Sequence, residues 1–391
     1  MIRVGFLGYE SNYQGGINYL KNLFYAVKQL KNPKIEIIVM VGKKDDYQAK
    51  VYGDFVKVIR TSALDRYSFL WFVNKVFYKI FKYPIIIDLL IGYHKINVLS
   101  HSYYVSRFFK VKIINWIPDF QILHYPELWG EKDIQKWNKL LYNLAKNSDK
   151  IVLSSNDAFK DFKVCLPKYQ NKVEILKFVS QPPKQVNALS LKELQEKYKF
   201  DGNFFYLPNQ FWKHKNHKVV FDACLILKKK GINITIVCSG LMEDFRSKDN
   251  QYVDNLLNFI KDNNLQSNIK TLGLIEYSDV LSLMENSLAI INPSLFEGWS
   301  STVEESKSMG KKIVLSNIPV HIEQNPAHSF YFDPNNALEL SNILEQLWIL
   351  KDEDFYSNDS TLNQRTLEFG EKYSGVVCDL ISEINKQEVE I

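Results

Sequence analysis

Short apolar runs alternate along this chain with longer stretches in which apolar residues recur every three or four positions. Residues 2–7, 36–41, 55–59, 96–100, 112–117 and 150–155 read as short buried strands. Helical patterns separate most of them, clearest at 16–30 and 131–147. A second series begins with strand 204–207, helix 217–230, strand 233–238, helix 250–263 and strand 269–273. It continues with helix 278–286, strand 288–292, helix 302–309 and strand 312–315. Parallel neighbours need a long crossover, which a helix supplies, so this alternation predicts two doubly wound parallel sheets in an α/β fold. Between the series, Ser180-Gln-Pro-Pro-Lys184 reads as a stiff hinge. The expected organisation is therefore a Rossmann-like domain over 1–180, a second over 181–365, and a polar segment over 366–391 with a last helix at about 376–386.

Composition narrows the class without naming a chemistry. The 391 residues suffice for two domains, and 46% apolar with 24% charged residues is ordinary for a globular chain. Cys165, Cys224, Cys238 and Cys378 are far apart and form no CxxC pair, so they read as buried thiols of a reducing compartment. Met1 leads straight into an apolar strand with no signal-peptide pattern, and no run of about 18 apolar residues is present to span a bilayer. A net charge of +5 selects no partner.

The segment Asn292-Pro-Ser-Leu-Phe-Glu-Gly-Trp-Ser-Ser-Thr-Val-Glu-Glu-Ser306 carries the most chemistry. It follows a predicted strand, turns at Gly298, and opens a helix in which Ser301 and Glu304 are expected to form a capping box, with Gly310 as the stop. Glu297 then lies in the loop before the helix and Glu305 about one turn inside it. The free amides of Trp299 to Thr302 lie at the positive end of the helix dipole, which favours an anion. Two carboxylates beside a phosphate site would repel the phosphate, so their use is to accept hydrogen bonds from hydroxyls. A nucleotide-sugar, with a diphosphate between two sugars, has the matching chemistry.

Glu297-x7-Glu305 within Pro-Ser-Leu-Phe-Glu-Gly resembles the donor-site motif of the retaining glycosyltransferases of family four, which have the GT-B fold. The resemblance implies two Rossmann-like domains facing across a cleft. It makes 1–180 the acceptor side, 181–365 the nucleotide-sugar side, and the last helix one that returns to the first domain. It implies that Glu297 contacts the transferred sugar and Glu305 the ribose diol. Gly298, Trp299, Ser300, Ser301 and Thr302 would line the donor, with Ser239 and Gly240 as nucleotide-pocket backbone.

Pro208-Asn-Gln-Phe-Trp-Lys-His-Lys-Asn-His217 follows a strand and opens a helix. Cations at a helix start oppose the dipole, a conflict that an anionic ligand removes. The family has an Arg where this chain has Gln210 and a Lys where it has Lys215, and both contact the diphosphate. Gln210 supplies no charge, which places more weight on Lys215. Gly15 and Gly16 open a helix after strand 2–7, where the family's glycine loop meets the donor phosphates. Asn115-Trp-Ile-Pro-Asp-Phe-Gln-Ile-Leu-His-Tyr-Pro-Glu127 is similar to the family's acceptor-side loop and nominates Asp119, Gln121 and His124. Pro118 stands where a His is usual, and His101, after strand 96–100, is the other histidine on that edge.

Residues 66–87 contain no Asp or Glu and carry Arg66, Lys75, Lys79 and Lys82 among aromatic residues. The lysines fall on one helical face. This pattern suits an anionic membrane surface; the plain alternative is a helix with one buried face. The sequence thus predicts a cytoplasmic retaining hexosyltransferase, peripheral on the inner face of the membrane, using a UDP- or GDP-sugar. Its acceptor would be a saccharide or lipid-linked saccharide of bacterial surface polysaccharide synthesis. Glu297, Lys215, Asp119 and His101 are the catalytic candidates. No cofactor, metal cluster or nucleic-acid motif is read. The alternatives are a nucleotide-sugar epimerase of GT-B shape and a catalytically silent binding module.

Overall fold

The computed structural model describes residues 1–8, 14–81, 84–103, 111–182, 188–244, 250–350 and 361–389. The chain forms two compact units. One comprises Met1–Asp119, Gln135–Val179 and Thr361–Ile391, the other Phe120–Ile134 and Ser180–Ser360. Compared with the boundaries expected from sequence, the short segment Phe120–Ile134 joins the second unit, and the return to the first falls at Thr361.

The first unit holds strands β1 (Ile2–Leu7), β2 (Ile35–Gly42), β3 (Lys57–Thr61), β4 (Val98–Ser100), β5 (Lys112–Ile117), β6 (Lys150–Leu153) and β7 (Val173–Ile175). They pair in parallel in the order β3-β2-β1-β4-β5-β6-β7. The helix Gln14–Lys28 buries Ile17, Leu20, Leu23, Phe24 and Val27, the three-and-four spacing of one apolar stripe. It packs against the last helix, Leu362–Val389. A Cβ on Gly370 would come within 2.6 Å of the Ala26 carbonyl oxygen, so glycine is what lets these helices close together. That helix begins well before the expected position. Its buried stripe, Phe369, Tyr373, Val376, Val377 and Leu380, is interrupted in sequence by polar residues and by Gly370 and Gly375.

The second unit holds β8 (Phe205–Leu207), β9 (Ile236–Cys238), β10 (Ile269–Thr271), β11 (Ile290–Asn292), β12 (Ile313–Ser316) and β13 (Ser329–Phe332). All pairs are parallel, in the order β10-β9-β8-β11-β12-β13. Strands β8, β9, β11 and β12 are buried throughout, because helices cover both faces, and so they read as unbroken apolar runs. Edge strands β7 and β13 are half-buried and lack that signal. In both sheets the order reverses beside the first strand. The carboxyl ends of the two strands that flank such a reversal are where open α/β sheets bind ligands. In the second unit those strands are β8 and β11.

Candidate active site

Strand β8 runs into Asn209 and β11 ends at Asn292, and the two side chains meet. Asn209 Nδ2 donates to Asn292 Oδ1 at 3.1 Å, Ser294 Oγ donates to the same oxygen at 2.8 Å, and Asn292 Nδ2 donates to Ser300 Oγ at 2.8 Å. Both strand ends are thereby tied to the start of the helix Ser301–Ser308. None of these bonds was legible as a motif, although Asn209 and Asn292 stand at the ends of apolar strands, where a buried polar residue must find a partner.

Lys215 closes the short turn Lys213–Lys215, and Asn216 follows in the left-handed region at φ +56°. Asn216 Nδ2 donates to the carbonyls of Pro293 and Pro334, and Leu295 N–H donates to the His214 carbonyl at 2.8 Å. These bonds bring the turn against the loop carrying Glu297. Lys215 Nζ lies 2.6 Å from Glu297 Oε1, and Ser294 Oγ lies 2.7 Å from that oxygen, its single hydrogen shared between Glu297 and Asn292 Oδ1. The Lys215 and Glu297 side chains are only 16% and 10% exposed, so water screens this pair weakly. Burial pushes the Glu297 carboxyl up, but the Lys215 charge and the hydrogen bonds from Lys215 and Ser294 outweigh it. The carboxyl is held below its usual range.

Behind this pair a buried relay continues. Ser316 Oγ donates to the Ser294 carbonyl at 2.5 Å, and His321 Nδ1 lies 3.0 Å from the Ser316 carbonyl and 3.1 Å from Ser316 Oγ. A carbonyl only accepts, so Nδ1 carries the hydrogen. Burial pushes the His321 ring down to about 4, which keeps it neutral at pH 7.

Gln210 and Gly240 meet on the other side of β8. Gln210 Oε1 accepts from Leu241 N–H at 2.6 Å, which turns the Nε2 donors away from that contact. Gly240 has φ +146°, and a Cβ there would lie 2.4 Å from the Asn209 carbonyl oxygen, so no other residue fits. Gly240 N–H donates to the Gly273 carbonyl at 2.9 Å. Ser239 Oγ is 2.5 Å from the Tyr206 hydroxyl.

The helix start differs from expectation by one residue. Ser300 is the N-cap, accepting from Val303 N–H, while Ser301 is the first helical residue. Glu304 does not cap: it is buried and accepts from Gln324 Nε2 at 3.1 Å. Gln324 also takes both backbone groups of Ser300, accepting from its N–H at 3.1 Å and donating to its carbonyl at 3.0 Å. The Ser300 amide is thus spent and cannot serve an anion as expected. Ser301 and Thr302 head the helix, where their N–H groups have no intrahelical acceptor. Gly298 and Trp299 are half-buried between Glu297 and the cap. Glu305, buried one turn in, accepts from the Tyr277 hydroxyl at 2.6 Å.

The segment Phe120–Ile134 rests on the same loop. The exposed His124 ring lies 4.9 Å from the Phe296 ring, and the Tyr125 hydroxyl donates to the Leu295 carbonyl at 3.3 Å. Gln121 is buried in the short helix Gln121–His124. The first unit holds the remaining candidates. Asp119 is half-buried and, after burial itself, is the second cause that pushes the Tyr103 hydroxyl up to about 12. His101 follows β4 at that unit's own reversal point, but it is enclosed. Its Nε2 meets the Tyr19 hydroxyl at 3.1 Å, its Nδ1 meets Ser100 Oγ at 2.7 Å, and rings of Phe6, Tyr19, Trp116 and Tyr373 surround it. Burial pushes the ring down to about 3. With both nitrogens engaged, His101 has no free site for an acceptor proton, contrary to its nomination as a catalytic group. Gly15 and Gly16 sit in the first turn of Gln14–Lys28. Lys82 lies outside the described residues. Among the described residues no group of three or more His, Cys, Asp or Glu is placed to hold a metal ion.

Residues 192–360, which contain all of the second-unit site from Asn209 to Gln324, match the family described as "Glycosyl transferases group 1". The region is similar to that family, and the match covers somewhat less than half of the chain. The chain is also 26% identical over 157 residues to the capsular polysaccharide biosynthesis glycosyltransferase CapH of Staphylococcus aureus. That match spans 39% of this chain and 41% of CapH, well under two thirds of the relative's length. Among solved structures, a glycosyltransferase from Rickettsia africae has a TM-score of 0.61 at 18% identity, covering 99% of this chain and 98% of its own. Anabaena HepE in complex with UDP-glucose has a TM-score of 0.62 at 13% identity, covering all of both chains. At these identities the likeness is one of fold, and the fold is GT-B: two Rossmann-like α/β units in one chain.

Proposed function

We propose that the protein is a retaining glycosyltransferase that transfers a sugar from a UDP- or GDP-sugar to a saccharide or lipid-linked saccharide during surface polysaccharide synthesis. The observation that carries this reading is the shielded Lys215–Glu297 pair at the strand-order reversal of the unit that matches the group 1 family, with Glu305 one turn into the adjoining helix. Lys215, the Gln210 amide and the Ser301 and Thr302 amides would hold the diphosphate and stabilise the charge that develops as it leaves. Lys215 then answers to two anions, Glu297 and the diphosphate, and the Glu297 carboxylate becomes available to hydroxyls of the transferred sugar and to its oxocarbenium-like charge. Glu305 would accept from the ribose diol. The acceptor hydroxyl would attack from the face the nucleotide leaves, with the departing phosphate oxygen taking its proton. Asp119, Gln121 and His124 are proposed for the acceptor side, and Gly15 and Gly16 for the donor phosphates.

The description of CapH as a capsular polysaccharide enzyme supports the polysaccharide role, and the UDP-glucose complex of HepE supports a uridine donor. We assign the protein to the cytoplasm with reversible contact to the inner membrane surface; among the described residues no helix is long and apolar enough to cross a membrane. The test is to screen UDP- and GDP-sugars for a rise in melting temperature, since a ligand of the native state alone stabilises it. The stabilising donor is then incubated with saccharide acceptors and the product anomer assigned by NMR. Retention is expected, and Lys215→Ala is expected to lose both donor stabilisation and turnover. An inverted product, or a Lys215→Ala variant with full turnover, refutes the reading.

A further inference from the structure

Tyr277 opens the helix Tyr277–Asn286, which connects β10 to β11, while Glu305 lies on the helix that follows β11. The two helices share one core, in which Leu281, Leu283 and Met284 of the first cluster with Val303 of the second. The bond from the Tyr277 hydroxyl to Glu305 Oε1 joins the start of the first to the middle of the second at 2.6 Å. Glu305 is 8% exposed, whereas Tyr277 is 40% exposed, so the ring reaches from the surface to a buried carboxylate. The turn that leads into Tyr277 begins at Gly273, whose carbonyl accepts from Gly240 beside Gln210. Tyr277 therefore borders the candidate donor site without being one of the residues that the sequence motifs single out.

Burial, then the Glu305 charge, raises the phenol pKa well above its ordinary value, so the hydroxyl keeps its proton and donates. The terminal torsion of a glutamate is broad and roughly two-fold, and a charge-assisted bond to one oxygen selects one setting of it. A carboxylate has about four lone-pair sites over its two oxygens, so one bond from a phenol does not exhaust its capacity to accept from a vicinal diol. We propose that Tyr277 is a positioning residue for Glu305. It fixes the carboxylate plane to accept from both hydroxyls of a ribose diol and so sets the site's preference for ribonucleotides over 2′-deoxyribonucleotides. This rests on the ribose role proposed for Glu305.

Calorimetric titration of UDP, GDP and their 2′-deoxy counterparts against wild type, Tyr277→Phe and Glu305→Gln tests it. Tyr277→Phe keeps the ring and removes one oxygen, and circular dichroism checks that each variant is folded. Loss of one hydrogen bond's worth of ordering predicts about three- to tenfold weaker binding of the preferred ribonucleotide by Tyr277→Phe. Binding of its 2′-deoxy form should be unchanged, so the discrimination ratio shrinks. Glu305→Gln should abolish most of that ratio. If Glu305→Gln loses discrimination while Tyr277→Phe keeps it, the role of Tyr277 is overturned and the ribose reading stands. If Glu305→Gln keeps it, or neither nucleotide binds, the ribose reading falls and takes this inference with it.

Discussion

Lys215 and Glu297 each make the other's burial tolerable, and separating them isolates one charge from water. Replacing one member of a buried pair leaves the other uncompensated, at a cost of about 3–5 kcal/mol, and partial exposure of both side chains places this pair near the lower end. Lys215→Met should therefore destabilise the protein by about 3 kcal/mol at pH 7. The pH dependence gives a second readout. In wild type the depressed Glu297 carboxyl contributes stability that is present above its ordinary value of 4.5 and is lost as pH falls through its folded value. Without Lys215, burial and desolvation dominate, the carboxyl protonates at higher pH, and its penalty disappears in acid. Urea unfolding at pH 7 and pH 4.5 should then show a deficit that narrows on acidification. A deficit below about 1 kcal/mol at pH 7, the range of exposed pairs, would mean that water reaches this pair freely.

At the scale of elements, the helix Ser301–Ser308 shows what the sequence could and could not display. The strand, the turn at Gly298, the helix and its end near Gly310 follow from local patterns and are where the pattern puts them. The cap register does not follow. Ser301 and Glu304 satisfy the capping-box spacing, yet Ser300 caps, because Asn292 at the end of β11 and Gln324 on the helix Pro319–Gln324 fix it from outside the helix. Those partners lie 8 and 24 positions away, beyond any local rule. The relay through Ser294, Ser316 and His321 was missed for the same reason, since its bonds join separate loops behind one sheet edge. The two readings of the cap separate in a stability measurement. Ser300→Ala removes the cap and strands the Asn292 amide, so it should cost about 1–2 kcal/mol, whereas exposed Ser301→Ala should stay within about 0.5 kcal/mol. Thermal unfolding of the two variants ranks them directly, and the reverse order would restore Ser301 as the cap.

Across the whole molecule, the response to acid is set by buried histidines in both units. His101 in the first unit and His217 and His321 in the second are pushed by burial from 6.5 to about 3, about 3 and about 4. Each is neutral in the fold and takes a proton on unfolding below pH 6.5, so its contribution is present above that value and lost as pH falls toward the folded value. Each can remove up to about 1.4 kcal/mol per pH unit in that window. Urea midpoints should drop steeply between pH 6.5 and 5, and His321→Asn should flatten the slope; an equal slope in the variant would show that His321 titrates normally. The membrane prediction concerns the helix Phe69–Phe81, which has no buried residue and exposes Phe69, Phe72, Tyr78 and Phe81, with Lys75 Nζ 4.6 Å from the Trp71 ring centroid. Leu70 is partly buried against the first unit's core, so the helix is seated on one side and leaves a basic, aromatic face outward. Each Lys or Arg near an anionic surface contributes about 1 kcal/mol, so on the membrane reading Arg66, Lys75, Lys79 and Lys82 would together provide a few kcal/mol that salt weakens. Wild type should sediment with anionic liposomes at low salt and less at high salt. Replacing Lys75, Lys79 and Lys82 with Glu should abolish sedimentation and leave nucleotide binding intact, because none of the three belongs to the candidate donor site. Equal sedimentation of the triple variant, or none by wild type at low salt, would make this helix a packing element and direct the search for acceptors to soluble saccharides.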